Sequence, residues 1–546
     1  MATASNPSSG LSTGTAAGAA TDRVFLRKAS GLIKTAGTLD VFIYNIGTIS
    51  IGIGIGGILL YGYAVYPGAN LPVGAVIACV AMAMICGGMI AWTLTIPRSG
   101  GIYPFGSRAL PPWIAFMVSF VENICWIFLL TLGAYWVTNM GIAPTVTAIG
   151  SMSGTHWITS LGTALAKPGW TFLVSTLVLL LAGWILISGM KRFFFSQKIV
   201  FTTAMIGSIV LIVVLATTSR AGFVHNFNHY FGPTATYRGV IADAHRHGWS
   251  LGTSSFKNTL LASNWFFLPL IGAAYSIAIG GEIKSSTKAQ PLGMLGAIAI
   301  SMVVWVLTMV LANHVFGKEF LGAIGNNSLN GLESTPSTPW APILGGVASG
   351  SVVLTVILGL SFICWIWMWV PAMQAYVERA MLAWSFDRAA PGSWGKVSQR
   401  THTPVVAIAI VTALCILALV GICFWSFFAT MVIFIETALV AWGVVLAAGV
   451  VFPFRRPDIY EKSPIAGRRI LGLPLMSVLC GLGTIGAALY FVLTYMDNFA
   501  AGHEPKRLAV LVGCFVVGAA WFFVTVKLRR RQGIDMSLAF KEIPIE

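Results

Sequence analysis

The amino-acid sequence predicts an all-α membrane protein with about twelve transmembrane helices. Of its 546 residues, 57% are hydrophobic and only 9% are charged, and the mean hydropathy is +0.83. Soluble domains carry about 25% charged residues, so this composition excludes an ordinary soluble protein. The apolar runs are continuous and of spanning length, whereas a membrane β-barrel requires short strands of alternating polarity.

Apolar runs long enough to cross the bilayer recur along the whole chain. The predicted spans are residues 39–66, 72–96, 111–142, 169–190, 198–218, 259–283, 291–316, 343–372, 404–428, 430–453, 472–495 and 508–527. Residues 1–21 lack the compact apolar core of a cleaved signal peptide, so we expect the first span to insert uncleaved.

The distribution of the basic residues behind the formal net charge of +16 indicates membrane topology rather than a nucleic-acid-binding surface. If the N-terminus is cytoplasmic, only eight of the 33 Lys and Arg residues fall in outer loops: Lys167, Arg220, Arg238, Arg246, Lys257, Lys318, Lys506 and Arg507. Cytoplasmic loops of membrane proteins carry such an excess of basic residues. The pattern predicts a multi-pass protein of the plasma membrane with both termini cytoplasmic, surrounded by lipid and without a nucleic-acid partner.

Residues 50–57, Ser-Ile-Gly-Ile-Gly-Ile-Gly-Gly, place four glycines inside the first apolar run. A glycine costs a helix interior about 0.5–1 kcal/mol relative to alanine, so the cluster predicts an interrupted helix. Irregular backbone at membrane depth is tolerated only where protein buries it or where it lines a wet cavity, and it often marks a substrate site. The alternatives are close helix packing through these glycines, and a dinucleotide-binding loop that no predicted strand supports.

Three loops resemble signatures of the amino acid permeases in the amino acid–polyamine–organocation superfamily. Residues 97–111 resemble the pattern P-x-x-G-G-x-Y-x-x-x-x-R between the second and third helices. Residues 282–291 resemble E-x-K-x-x-x-K-x-x-P after the sixth helix. Residues 379–391 resemble R-x-x-x-x-x-x-x-D-x-x-x-P after the eighth, and Thr403 begins the Thr-Pro pair that follows. The resemblance covers roughly residues 30–460.

The resemblance implies five plus five helices in an inverted repeat, with helices 1 and 6 broken, and two accessory helices. In this arrangement the chain divides into a disordered cytoplasmic tail (1–35), a transporter core (36–460), accessory helices (461–527) and a cytoplasmic C-terminal tail (528–546). It implies secondary active transport of amino acids by alternating access. A polyamine or other organic-cation transporter of the same fold is the alternative, and no oligomeric state is predicted.

Other classes find less support in the sequence. A membrane enzyme is not expected, because the chain has neither the H-E-x-x-H nor the G-x-S-x-G pattern. A channel is not expected either, because the sequence has no filter-like repeat. The predicted partner is therefore a small amino acid or amine.

The family pattern implies which residues line the substrate site. They are the break of helix 1 and the break of helix 6: Ile49, Ser50, Ile51, Gly52, Ile53, Leu270, Ile271, Gly272 and Ala274. An interrupted helix frees N–H groups that favour a carboxylate and carbonyls that favour an ammonium group. An amino acid presents both charges. Ala274 replaces an acidic or polar residue of many relatives, and this favours amino acids over polyamines unless Glu122 compensates.

Two acids and one hydroxyl are candidates for gating or ion coupling. Glu122 and Glu436 lie within predicted spans, where acids are costly and often functional, although a structural acid bonded to a neighbouring hydroxyl is the alternative. Ser361 is a candidate sodium ligand, with back-bonding to its own helix as the alternative. No cofactor is predicted apart from a possible coupling ion, H⁺ or Na⁺. No metal site is predicted, including at the four histidines of the outer loop 219–258.

Overall fold

The computed structural model describes residues 31–232, 235–332, 335, 338–425, 435–499, 504–536 and 540. Within these residues, twelve helices are long and apolar enough to cross a membrane, which confirms the predicted fold class. Numbered in chain order, spans 1 to 12 are Thr38–Val65, Leu71–Thr95, Pro112–Ser153, Pro168–Ile187, Met190–Thr217, Phe256–Ala278, Ser286–Val315, Val352–Phe386, Val405–Phe424, Glu436–Arg455, Leu475–Met496 and Pro505–Arg531.

Shorter elements connect the spans. The helices Tyr103–Ala109 and Pro457–Tyr460 lie on the side predicted to be cytoplasmic, called the inner side from here on. The outer side carries His156–Leu165, Arg220–Phe231, Tyr237–Arg246, Lys318–Leu329 and Ala341–Ser349. Two short strands, Arg469–Ile470 and Leu473–Pro474, pair antiparallel before span 11.

Some predicted features fall outside the described residues. These are residues 1–30 of the predicted N-terminal tail, residues 426–434 at the predicted ends of spans 9 and 10, and residues 537–539 and 541–546 of the predicted C-terminal tail. The division into a five-plus-five inverted repeat and accessory helices stays a prediction.

Span 1 occupies the centre of the bundle. Its most apolar window is 100% buried, against 11% for span 12 at the periphery. Spans 5, 6, 7 and 8 pack around it. A helix that is enclosed on every side needs small residues wherever a neighbour approaches closely, because protein interiors are close-packed.

The glycine cluster meets that need. Gly52 and Gly54 lie inside a regular helix, Ile51–Val65, so the interruption falls on Ser50, within the predicted break Ile49–Ile53, and not on the glycines themselves. A Cβ on Gly52 would lie 2.8 Å from Trp365 Cβ, and one on Gly54 would lie 2.6 Å from Trp305 Cζ2. Gly52 and Gly54 therefore leave room for the aromatic side chains of Trp365 in span 8 and Trp305 in span 7. The interruption of span 1 lies at Ser50, directly before the helix Ile51–Val65.

Span 8 differs from the predicted run 343–372. The first part of that run belongs to the separate helix Ala341–Ser349, which ends at Gly350 in a left-handed conformation with φ +63°. Ser351 then caps span 8 by accepting a backbone hydrogen bond. The helices on both sides of this turn are apolar, and only Ser349, Gly350 and Ser351 separate them, so the long apolar run hides the turn. Span 8 continues inward to Phe386, well beyond the predicted end.

We predict that Gly54→Ala destabilises the protein, because the added methyl group would meet the buried ring of Trp305. Overpacking of this kind costs about 1–3 kcal/mol. Gly513→Ala in span 12 is the matched control, since a Cβ there meets nothing within 4 Å. Thermal unfolding in detergent should give a lower melting temperature for the first variant only. A melting temperature at or above that of the wild type for Gly54→Ala would contradict the packing assigned to this glycine.

Candidate functional site

Span 1 is interrupted at Ser50. The helix Thr38–Ile49 ends there, Ile51–Val65 begins directly after it, and Ser50 adopts φ +49° and ψ +72°. A residue other than glycine in this left-handed region costs about 1–3 kcal/mol, so its surroundings must hold it in place. The Ser50 hydroxyl does so by donating to the Trp365 carbonyl of span 8 at 2.8 Å.

The first turn after this break presents backbone donors. The N–H groups of Ile51 and Gly52 precede the first hydrogen bonds within the helix, whereas the Ile53 N–H donates to the Ser50 carbonyl at 2.9 Å. The aligned peptide dipoles add partial positive charge at this end. Such a turn can hold an anionic group without a basic side chain.

Span 6 changes character at Ile271. Phe256–Leu270 is α-helical, whereas Ile271–Ala278 and Gly280–Glu282 are 3₁₀-helical. Pro269 lies in the last α-helical turn and has no backbone N–H to donate. Hydrogen-bond geometry is poorer in a 3₁₀-helix, and long runs of it are uncommon, so this stretch is the irregular segment of span 6.

The two irregular segments touch each other. The Thr48 hydroxyl lies 2.8 Å from the Gly272 carbonyl oxygen, and it shares its one proton with the Tyr44 and Asn45 carbonyls of its own helix, at 2.7 and 2.9 Å. A Cβ on Gly272 would lie only 2.1 Å from the Thr48 carbonyl oxygen. Glycine at this position therefore permits two backbones to meet. On the inner side of this contact, the Asn45 side chain accepts from Ser276 N at 3.0 Å and donates to Ser276 Oγ at 3.1 Å. Sequence reasoning missed Thr48, Asn45 and Ser276, although polar residues within apolar runs were a signal for them.

The predicted substrate-binding residues all lie in or beside these two segments, and all are buried: Ile49, Ser50, Ile51, Gly52, Ile53, Leu270, Ile271, Gly272 and Ala274. The structure therefore brings together residues that are more than 200 positions apart in the chain. Their role in binding a substrate stays a prediction.

Ser361 lies close to the first break. Its hydroxyl donates to the Ala204 carbonyl of span 5 at 2.7 Å, so it bonds across helices rather than to its own turn. Ser361, Gly52, Ser208 and Trp365 line a cavity of about 30 Å³. This volume holds about one or two water molecules. A sodium ligand at Ser361 stays a prediction.

Two further features lie toward the outer side. Glu436 is buried in the first turn of span 10. In the outer loop, His245 Nε2 lies 3.2 Å from Glu319 Oε1, and both side chains are about half exposed. Glu436 and the His245–Glu319 pair therefore lie apart from the interrupted segments.

Glu122 is fully buried in span 3 and links two other spans. Its Oε1 accepts hydrogen bonds from the Tyr376 hydroxyl of span 8 and from Trp442 Nε1 of span 10, each at 2.6 Å. An acid bonded to a neighbouring hydroxyl was one of the two interpretations from sequence, and this contact matches it. A gating or coupling role for Glu122 stays a prediction.

The three signature loops meet in one assembly on the inner side, which we call the inner layer. Arg108 of the first loop and Asp387 of the third form a two-point ion pair at 2.7 and 3.2 Å, with both side chains 1% exposed. Glu282 of the second loop accepts from Arg379 of the third at 2.9 and 3.3 Å. Arg379 also donates to Glu378. Two-point pairing of a guanidinium with a carboxylate fixes orientation as well as distance.

Backbone pairing completes the inner layer. Gly100 N donates to the Ala278 carbonyl at 2.9 Å, which joins the first loop to the end of span 6. Thr35, the last residue of the predicted N-terminal tail, donates through its backbone N–H to the Glu282 carbonyl at 2.9 Å. These contacts close the inner side beneath the two interrupted segments.

We predict that Asp387→Asn lowers the free energy of unfolding by about 3–5 kcal/mol, because it leaves Arg108 charged, buried and without its carboxylate. Asp458→Asn is the matched control. Asp458 is 60% exposed, and the hydrogen bond from Arg456 lowers its pKa. Loss of such a surface pair costs about 0–1 kcal/mol. Chemical or thermal unfolding in detergent should separate the two variants, and equal losses would contradict the importance of the buried pair.

Comparison with known proteins identifies the family. A family model described as amino acid permease matches residues 37–520. No match was found among curated proteins. The matched region includes both interrupted segments, the three signature loops and Glu122. The chain therefore belongs to the amino acid permeases of the amino acid–polyamine–organocation superfamily, a family of membrane transporters.

Proposed function

We propose that this permease is a secondary transporter of amino acids in the plasma membrane and that it works by alternating access. The observation that carries the proposal is the contact between the break at Ser50 and the irregular segment Ile271–Ala278, made by Thr48 and Gly272. Ser50 lies twelve residues into span 1, or about 18 Å along the helix, which is well inside the bilayer. Irregular backbone at that depth is tolerated only where protein buries it or where it lines a wet cavity, as a substrate site does.

The two segments offer both halves of a zwitterion site. The N–H groups of Ile51 and Gly52 suit a carboxylate, and the last carbonyls of Thr38–Ile49 suit an ammonium group. Neither span 1 nor the segment Ile271–Ala278 contains Lys or Arg, so the carboxylate would be held by backbone donors. An α-amino acid carries both charges on one carbon and therefore matches this arrangement.

The inner layer supplies the gate in this proposal. Its ion pairs, Arg108–Asp387 and Arg379–Glu282, are buried, so the inner side is closed in the arrangement described. Release on the inner side requires these pairs to separate. Separating a buried pair is costly until water reaches both charges. The substrate can favour that change only through tighter binding to one of the two states.

A polyamine or other organic-cation transporter is the second candidate. Glu122 is the buried carboxylate that could pair with a second amine, although contacting aromatic rings surround it. Ala274 disfavours a polyamine substrate, because alanine offers no polar group beside the break of span 6.

Counterflow in liposomes tests the proposal. Purified protein is reconstituted into vesicles loaded with unlabelled substrate, and the entry of labelled amino acids or polyamines is measured. We expect saturable entry of one or more amino acids that is faster when the same compound is inside. Ohmic conductance, or no entry of any amino acid, would contradict the proposal, and entry of polyamines alone would favour the second candidate.

We predict that Ser50→Gly keeps counterflow within about threefold of the wild type, because glycine adopts a positive φ without strain. Ser50→Val should lower the rate at least about tenfold, equivalent to ~1.4 kcal/mol, because a β-branched residue resists this conformation. Reconstituted amounts are matched by immunoblot before rates are compared. If Ser50→Val transports as well as Ser50→Gly, the conformation of the break does not matter for transport.

A further inference from the structure

Glu122 is a carboxylic acid near the middle of the bilayer. It lies ten residues after the start of span 3 at Pro112, which is about 15 Å along the helix. The hydrocarbon core is about 30 Å thick, so this position is close to mid-depth. Glu122 has no exposed surface. An ionisable residue at this depth is expensive and is by default a candidate functional group.

The two oxygens of this carboxyl group differ. Oε1 accepts from both the Tyr376 hydroxyl and Trp442 Nε1. Oε2 is buried and has no hydrogen bond of good geometry, although the Trp126 indole of the same helix, whose N–H is also unpaired, interacts with this carboxyl group. A buried polar atom without a partner is destabilising, so it needs a physical explanation. The free oxygen is the place where a ligand of this carboxyl group would bind.

No basic side chain neutralises Glu122. None of the ion pairs among the described residues includes it. Among the cations on the elements packed against span 3, Arg108 is paired with Asp387, Arg379 with Glu282 and Glu378, and Arg507 with Glu504. The other cations on these elements lie at the ends of spans 10 and 12, and no described ion pair joins them to Glu122: Arg455, Lys506, Lys527, Arg529, Arg530 and Arg531.

The titratable groups that face Glu122 supply no counter-charge either. They are Tyr376 of span 8, Tyr275 of span 6 and Cys125 of its own helix, and beyond Cys125 lie Glu436 of span 10 and Cys514 of span 12. All of these are neutral or acidic groups. Some positive charge must come from outside the chain if Glu122 is to be neutralised.

The space around Glu122 selects the smallest cation. The ring of Trp126 lies 5.2 Å from that of Tyr275, 6.2 Å from that of Tyr376 and 6.3 Å from that of Trp442, measured between centroids. Rings at these distances are in direct contact. An ammonium ion would have to push them apart, and a metal ion would lack the set of oxygen ligands that it requires. A proton needs neither additional space nor additional ligands.

Tyr376 connects this carboxyl group to the inner layer. A Cβ on Gly101, in the first signature loop, would lie 2.6 Å from the Tyr376 hydroxyl oxygen, so the hydroxyl lies against the loop backbone. Hydrogen bonds to a charged carboxylate are about twice as strong as those to a neutral group. Ionised Glu122 therefore holds Tyr376 in the closed position more firmly than protonated Glu122 does.

We propose that Glu122 binds, on Oε2, the proton that this permease moves together with its substrate. An O–H bond forms at Glu122 when the site faces the outer solution, and the same proton is released when the inner layer opens. Protonation weakens the hold on Tyr376 and favours that opening. This inference rests on the proposed transport of amino acids, and it assigns H⁺ rather than Na⁺ as the coupling ion.

The test uses full-length protein in liposomes, with potassium and valinomycin holding the membrane potential at zero. An inward proton gradient of one pH unit is imposed, and both accumulation and counterflow of a labelled amino acid are measured. We expect about tenfold accumulation by the wild type, the limit for one proton per substrate. Glu122→Gln should accumulate about onefold, that is, not at all, while it retains counterflow. Glu461→Gln makes the same substitution at an exposed position, and we expect it to behave as the wild type.

The outcomes separate the two proposals. If the wild type shows no counterflow of any amino acid, the transport proposal fails. If the wild type exchanges substrate but the gradient drives no accumulation, or if Glu122→Gln accumulates as much as the wild type, only the proton inference is overturned.

A spectroscopic measurement covers a variant that folds but does not exchange. Infrared difference spectra of the wild type should contain a carboxylic acid C=O band that disappears as the pH rises and that is missing from folded Glu122→Gln. A spectrum without such a band overturns the inference.

Discussion

The rest of the structure depends on the contact between Thr48 and Gly272. A lipid bilayer offers no water to satisfy backbone groups, so a helix can be interrupted there only if protein surrounds the interruption. The most apolar part of span 1 is wholly enclosed, and its break at Ser50 meets the irregular segment of span 6 where the Thr48 hydroxyl approaches the Gly272 carbonyl and where Gly272 has no side chain. Each segment thereby buries the irregular backbone of the other.

The aromatic side chains of spans 7 and 8 hold this contact in place. Trp365 accepts the Ser50 hydroxyl at its carbonyl, and its side chain packs on Gly52. Trp305 packs on Gly54 and donates to the Ile51 carbonyl at 3.0 Å. Two neighbouring helices therefore hold Ser50 in its left-handed backbone conformation. Gly52 and Gly54 allow this close packing, whereas the break of the helix lies at Ser50, two residues before Gly52.

Hydropathy and charge were sufficient to predict the membrane class and the approximate spans, because both reflect the solvent around each segment. Hydropathy did not separate the helix Ala341–Ser349 from span 8, since both helices are apolar and only Ser349, Gly350 and Ser351 mark the turn between them. The predicted break, Ile49–Ile53, includes Ser50, but local pattern could not single out this residue, because its strained conformation is held by Trp365, which is more than 300 positions away. The family signatures identified the three inner loops, but their pairing through Arg108 and Arg379 is a tertiary contact that no single loop reveals.

Glu122 illustrates the same limit at a candidate site. Its cost in a membrane is evident from sequence, whereas its partners, Tyr376 and Trp442, come from spans 8 and 10 and become evident only in three dimensions. Together with the inner layer, these contacts give the molecule a connected path from the middle of the bilayer to the inner side. Gly101 is the point where the path reaches the loop backbone.

The central claim is that backbone groups at two interrupted helices hold both charges of an amino acid. Equilibrium binding tests it most directly: a labelled amino acid bound to purified protein is competed with the same compound, its methyl ester and its decarboxylated amine. The account predicts that both analogues compete at least about a hundredfold more weakly, because each leaves buried donors unpaired. Equal competition by the ester or the amine would contradict it.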